Sequence, residues 1–312
     1  MLKFSLKKIM GKFTREHFVF GLDIGTSSIK AVKLKISKDK TEVCGFLAEP
    51  VKADLEDCVK KIAQSQEIKR VNISLSGPSV IMRYTAFSRM NLVELKQALK
   101  FEAQKYIPFP LTEVNLDACI LNPEAQDNKM FILISAVKKE YLNQRLKILQ
   151  GAGLEVNTAT IDSLALVDCF NFNYFGDEAL KNKTVALVNI GFTFTNLNIL
   201  ENGIPHLSRD ILTGSNNFQD KADSAFSSFA QELRSSFDYY ESQSVSAVSK
   251  IFLSGGACKF PQLKETLTKV LNIEVEYWDV FKKIPPVPGL SLDKIKDSSS
   301  QFAVAVGVAL RG

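Results

Sequence analysis

At 312 residues the chain is long enough for about two domains with real hydrophobic cores and no need of disulfides or metals. Its composition, 46% hydrophobic and 23% charged, excludes disordered and fibrous classes, and a net charge of +5 gives no argument for nucleic acid. The only two histidines, His17 and His206, stand far apart, so zinc hydrolysis and Ser-His-Asp chemistry lack raw material; the five cysteines form no CxxC pair and read as small buried hydrophobes in a reducing cytosol.

Residues 1–16 set Lys3, Lys7, Lys8 and Lys12 among Leu2, Leu6, Ile9, Met10 and Phe13. That pattern suits either a basic amphipathic helix lying on an anionic membrane surface or a solvated leader. No apolar run approaches the ~20 residues of a membrane span. Strand-like segments at 18–25, 29–36 and 41–47 predict a meander, followed by a helix at 55–64 and a strand at 71–76. Gly77-Pro78 marks a turn before a strand that runs through Phe87. Asn91 with Glu94 has the spacing of a capping box, and Leu92, Leu95, Leu99 and Ala103 mark one face of a helix that Pro108 stops. A buried strand at 130–137 leads into a helix at 141–149, closed by Gly151-Ala-Gly153. Residues 71–150 thus read as a compact module inside the first half, 17–160.

The second half, 161–312, repeats the logic. Strands are expected at 185–190 and 193–200, and Asn202-Gly203 is a strong hairpin signal. Apolar residues from Ala222 to Tyr240 recur at helical spacing. A strand at 251–253, a helix opening on Pro261, a strand at 275–278 and a helix at 301–310 follow. Three prolines between 285 and 288 predict a stiff loop outside regular pairing. The whole alternates strands and helices, an α/β architecture.

One internal echo stands out. Residues 21–34 and 187–200 align without gaps, placing Asp23 over Asn189 and Gly25 over Gly191. Each is an apolar strand ending in a carboxylate or amide, then a glycine expected to allow positive φ, then hydroxyl residues on a turn. Such a turn offers backbone N–H groups and short donors to a phosphate chain. Gly255-Gly256, directly after the strand at 251–253, adds a third flat backbone surface. Two such hairpins in two halves outline a duplicated nucleotide fold with its ligand in the cleft between them.

The stretch Phe20–Lys30, FGLDIGTSSIK, resembles the first phosphate motif of the actin-like ATPase superfamily. Within it the chain resembles the type IV pilus assembly family PilM, relatives of the cell-division protein FtsA. The segment Glu102–Pro110 (EAQKYIPFP), Gly151–Leu154, Asp162 and the closing Phe302–Gly312 carry that likeness over nearly the whole chain. The resemblance implies an actin-like, ribonuclease H-like duplicated fold, with an SHS2-type subdomain at about 71–150. It implies that Asp23 helps hold Mg, that Gly25, Thr26, Ser27 and Ser28 cradle the phosphates of ATP, and that Lys30 balances their charge. Gly191, Thr193, Thr195, Gly255 and Gly256 are the second lobe's share. Asp162 is where the superfamily keeps a carboxylate that orients a hydrolytic water, or it caps the helix starting at Ser163.

Two departures from the family pattern weaken that site. Asn189 stands where an aspartate is expected and brings no charge to a cation. Phe192 and Phe194 set large rings on the turn, either in the phosphates' path or turned into the core by strand alternation. The interval after Leu212 has room for one long helix, so the family's lid subdomain reads as truncated near 212–222. Each lost contact costs about 1 to 3 kcal/mol, and two or three take a micromolar site to millimolar.

The resemblance implies a cytoplasmic scaffold that docks the cytoplasmic N-terminal tail of PilN beside the inserted subdomain. This would link pilus platform and motor proteins at the inner membrane, peripherally, through the partner or the basic N-terminus. Phe101, Tyr106, Ile107 and Phe109 either line that groove or pack the insert. The alternative is an active Mg-dependent ATPase switch of the pilus or a related secretion machine. A small-molecule kinase needs a substrate lobe this chain is too short to hold, and filament assembly normally uses the missing lid.

Overall fold

β1 (His17–Ile24), β2 (Ser28–Ile36) and β3 (Thr41–Pro50) form the expected antiparallel meander. Alternation sets its faces: Ile29 and Ala31 pack into the first lobe's own core, and Val32, Leu34 and Ile36 on the other face into the core between the sheets. The computed structural model describes residues 16–52, 54–125, 127–218, 222–244 and 246–311, so the basic leader lies outside the described residues except for Glu16. Helix α1 (Leu55–Ser65) starts where the Asp54 carboxylate accepts the Glu56 N–H at 2.8 Å. β4 (Arg70–Leu75) then runs parallel to β1, and β8 (Glu155–Ile161) parallel to β4, completing the order β3-β2-β1-β4-β8.

Between β4 and β8 the chain builds β5 (Val80–Ser88), α2 (Leu92–Glu102), β6 (Val114–Ala125), β7 (Lys129–Lys138) and α3 (Lys139–Gly151). The capping box at Asn91 and Glu94 forms as expected. β5, β7 and β6 make a separate three-stranded sheet, with Leu95, Leu99 and Ile107 packed on Ile132 and Ile134. This separately sheeted piece covers 80–138, narrower than 71–150. β4 is buried on both faces, as a central parallel strand must be, and Leu149 of α3 joins Val59, Ile62, Val71 and Ile73 in the first lobe's core.

α4 (Asp162–Tyr174) crosses to the second lobe. There β9 (Thr184–Ile190), β10 (Thr195–Glu201), β11 (Ile204–Ile211), β12 (Val248–Ser254) and β13 (Glu274–Tyr277) take the order β11-β10-β9-β12-β13, matching the first sheet strand for strand. Asn202 and Gly203, at φ 49 and 79, form the tight turn between β10 and β11. Between β11 and β12 the described residues hold a 3-10 turn at Ser215–Phe218 and one helix, α5 (Ala222–Glu241), which buries Phe226, Phe229, Leu233 and Phe237. The expected lid truncation at 212–222 falls partly on 219–221, outside the described residues. α6 (Pro261–Leu271) and α7 (Ala303–Ala309) complete the fold. Among the described residues no helix is long and apolar enough to cross a membrane.

α4 and α7 lie between the two sheets. One core joins Val32 and Leu34 of the first sheet and Leu187 and Phe252 of the second to Ala165, Val304 and Val308. Glycine permits the close crossing: a Cβ on Gly307 would stand 1.8 Å from the Ala165 carbonyl oxygen. The proline loop differs from expectation. Pro285 accepts the Val43 N–H and Val287 donates to the Val43 carbonyl, each at 3.0 Å, a parallel bridge to β3 that needs only one N–H between prolines.

Candidate functional site

Both expected hairpins close in one way. The Gly25 N–H donates to the Ser28 carbonyl at 3.1 Å, and the Gly191 N–H to the Phe194 carbonyl at 3.0 Å. Neither glycine lies in the left-handed region, contrary to the reading from sequence. The requirement is space instead: a Cβ at either position would meet that same carbonyl oxygen at 2.9 Å. Gly255 does need positive φ, at 92, and a Cβ there would stand 2.4 Å from the Ile190 oxygen.

The two hairpins differ in charge. Asp23 pairs across the strands with Lys30 at 3.3 Å. At the equivalent positions the Asn189 amide donates to Asn196 at 3.2 Å, so an amide pair replaces an ion pair. Asn196 in turn donates to Asp210 of β11 at 2.7 Å. Asp162 is the first residue of α4, and the N-cap position before it is held by Ile161, which has no side-chain hydrogen bond to offer. The Asp162 carboxyl is pushed up to about 7, first by burial and then by the Asp23 carboxylate, with the Ser74 and Ser76 hydroxyls opposing. Burial also raises Asp210, against the hydrogen bonds from Asn196 and the Gly77 N–H.

Asp23, Lys30, Asp162, Asn189 and Asn196 meet in a cleft cavity of about 270 Å³. The first lobe lends Asp23, Gly25, Thr26, Ser27, Lys30 and Asp162, and the second Asn189, Gly191, Thr193, Gly255 and Gly256. Two expected residues are elsewhere. Ser28 pairs with Pro50 of β3 and closes the turn through its carbonyl. Thr195 is fully buried and donates to the Thr213 carbonyl at 2.8 Å. Phe192 and Phe194 face the cleft rather than the core, Phe192 being 40% exposed. Tyr141, Arg145 and Gln301 also line it and were missed, because α3 carries no glycine motif; an arginine one turn after a tyrosine on a helix facing the first turn was the available signal. The hairpin tips touch: Thr26 Oγ1 and Thr193 Oγ1 are 3.3 Å apart.

The cleft fits a phosphate chain better than its cation. Among the described residues the Thr26, Ser27, Phe192 and Thr193 N–H groups make no backbone hydrogen bond, and Lys30 and Arg145 supply positive charge. Asp23 is the one carboxylate at a hairpin, already tied to Lys30, and among the described residues no group of three acidic, Cys or His side chains could hold a metal. The volume lies just under the ~300 Å³ where ligand pockets begin.

A second cavity, about 360 Å³, opens between the insert and the second lobe. Val80, Met82 and Arg83 of β5 face Ser208, Asp210 and Leu212 across it, with Ile161 at the base. β5 and β11 are both edge strands. None of the aromatic segment lines this groove. Ile107 is buried in the insert's core with Tyr106 and Phe109 against it, while Phe101 is 83% exposed.

Two sheets of one strand order, each opening on a glycine hairpin, with α4 and α7 between them and a cleft where the hairpins meet, define an actin-like ATPase fold. The chain belongs to the family of type IV pilus assembly protein PilM, whose model matches residues 21–228 and 223–312. Among solved structures it is similar to the PilM-PilN type IV pilus biogenesis complex, at 22% identity over 96% of this chain and 99% of that one, TM-score 0.83. The ethanolamine utilization protein EutJ from Carboxydothermus hydrogenoformans shares the fold at 13% identity, 97% and 93% coverage and TM-score 0.51. So does the cytoplasmic domain of EpsL, an inner membrane component of the type II secretion system of Vibrio cholerae, at 11%, 95% and 96%, and 0.51.

Proposed function

We propose that this chain is a cytoplasmic docking scaffold of the type IV pilus inner-membrane platform, holding the N-terminal tail of PilN in the groove between β5 and β11. The observation that carries this reading is the groove itself. Its lining sets Val80, Ile81, Met82, Phe194 and Leu212 among polar side chains, it lies between two edge strands, and it belongs to a fold shared over 96% of the chain with a PilM-PilN complex. Edge strands supply backbone pairing and Val80, Met82 and Leu212 supply apolar contact, the two ingredients of extended-peptide recognition. The three-stranded insert is then the SHS2-type subdomain, and the partner keeps the chain peripheral at the membrane beside other platform and motor proteins. ATP and Mg bind weakly, Asp23 being the cation's one carboxylate, so the protein is a pseudo-ATPase. Titration of a synthetic PilN-tail peptide into protein with Met82→Glu checks the groove: binding weakened about tenfold or more supports it, and unchanged affinity removes it.

A second reading rests on Asp162, a cleft carboxyl pushed up to about 7 and so suited to take a proton from water. It makes the protein an active Mg-dependent ATPase switch. Phosphate release from ATP that disappears in Asp162→Asn would favour it over the scaffold.

A further inference from the structure

Three residues spaced two apart on β11 hold the insert to the second lobe. His206 stacks on Phe131 with ring centroids 4.7 Å apart. Ser208 Oγ and Tyr84 Oη are 2.7 Å apart. The Asp210 carboxylate accepts the Gly77 N–H at 3.1 Å. Gly77, at φ 87, is the joint where β4 leaves the first lobe's sheet for β5. The first lobe's insert is therefore fastened to the other lobe, and the fastening at its joint is one carboxylate.

That carboxylate ends a polar chain that starts beside the cleft. Ser254 Oγ donates to Asn189 at 3.0 Å, Asn189 to Asn196 at 3.2 Å, and Asn196 to Asp210 at 2.7 Å. Each link steps one strand across the sheet, β12 to β9 to β10 to β11, and the last step leaves the lobe for Gly77. Asn189 and Ser254 are buried, and Ser254 lines neither cavity, whereas Gly77, Asn196 and Asp210 form the groove's wall. Inside the protein such a chain has few alternative partners, so its members keep one another's orientation.

We propose that this chain from Asn189 to Asp210 couples the phosphate cleft to the peptide groove by fixing the insert at Gly77. The inference rests on the reading that the groove takes the partner's tail. The second hairpin's amide, a poor cation site, thereby gains a different role: it sets the donor pattern of Asn196, which leaves Asp210 free to clasp Gly77. A change at Asn189 alters the clasp, the insert turns on its joint, and the groove between β5 and β11 changes width.

The test is calorimetric titration of a synthetic PilN-tail peptide into the full chain, with circular dichroism confirming the fold of each variant. Asn189→Ala and Ser254→Ala, neither in the groove, weaken the peptide by about fivefold or more, the lower end of typical coupling between sites. Asp210→Asn keeps one acceptor oxygen where the carboxylate has two, so it cannot accept from both Asn196 and Gly77; it does the same, and the Asn189→Ala/Asp210→Asn pair is no weaker than Asp210→Asn alone. Ser254→Ala removes a single hydroxyl and carries the test if Asn189→Ala fails to fold. Peptide affinity within about twofold of the wild type in Ser254→Ala and Asn189→Ala, with Asp210→Asn impaired, overturns the coupling. Absence of peptide binding to the unaltered protein overturns the partner reading instead.

Discussion

Thr26 and Thr193 meet across the cleft, Oγ1 to Oγ1 at 3.3 Å, so the tips of two equivalent hairpins touch. One exposed hydroxyl pair is worth only about 0.5–1.5 kcal/mol net, so the contact narrows the cleft without sealing it. The larger loss lies one strand in, where an amide pair replaces the ion pair of Asp23 and Lys30.

Restoring a carboxylate there has opposed effects. Asn189→Asp gives Mg a second acidic contact, and Mg-dependent ATP binding tightens by about tenfold, since a charge-assisted contact is worth about 1.5–3 kcal/mol. It also turns an acceptor toward Asn196 Oδ1, so the ligand-free protein melts at a lower temperature. Calorimetry with and without Mg, beside a melting curve, reads both; unchanged ATP affinity would show that the cation is held elsewhere.

Asp162 makes stability depend on pH in an identifiable window. Its folded carboxyl keeps a proton up to about pH 7, whereas the unfolded one releases it near 3.8. Between those values the folded state binds more protons, so stability falls as pH rises and the loss persists above 7. Asp162→Asn relieves part of that penalty, since a buried amide there keeps a desolvation cost of its own. Its Tm at pH 8 rises by roughly 2–4 °C, about 1 kcal/mol at this size, with no gain near pH 4. An equal gain at both pH values would place the effect outside titration.

Arg311 pairs with Asp168 inside the junction of α4 and α7, both side chains almost fully buried. Burial raises the Asp168 carboxyl and Arg311 opposes it. Arg311→Ala leaves a buried carboxylate alone and lowers the unfolding free energy by about 3–5 kcal/mol, measured by urea denaturation at neutral pH. A loss below about 1 kcal/mol would mean that water reaches Asp168.

The same junction admits no side chain at Gly307. Gly307→Ala forces α7 away from Ala165 and costs about 1–3 kcal/mol in the same assay. A neutral result would show that the two helices have room to slide.

Much of this arrangement was legible from local signals. The glycine hairpins, the Asn202-Gly203 turn and the Asn91 capping box each bear their chemistry within four residues. What failed depended on distant partners. β4 and α3 were assigned to the insert because nothing in 71–76 or 141–149 says that their neighbours are β1, β8 and α1. β8 went unread because Glu155–Ile161 is half polar. In the cleft, gap-free alignment carried the motif past the turns, so Ser28 and Thr195 were included although they sit on paired strands. Tyr141 and Arg145 were missed because a helix delivers them from outside either hairpin.

The central claim is that the groove between β5 and β11 binds the partner's tail without help from the cleft's ligand. Its most direct measurement is calorimetric titration of a PilN-tail peptide into nucleotide-free protein. The account predicts saturable one-to-one binding in the absence of ATP, weakened about tenfold or more by Met82→Glu. Binding that develops only once ATP and Mg are present would contradict it and make the protein a nucleotide switch.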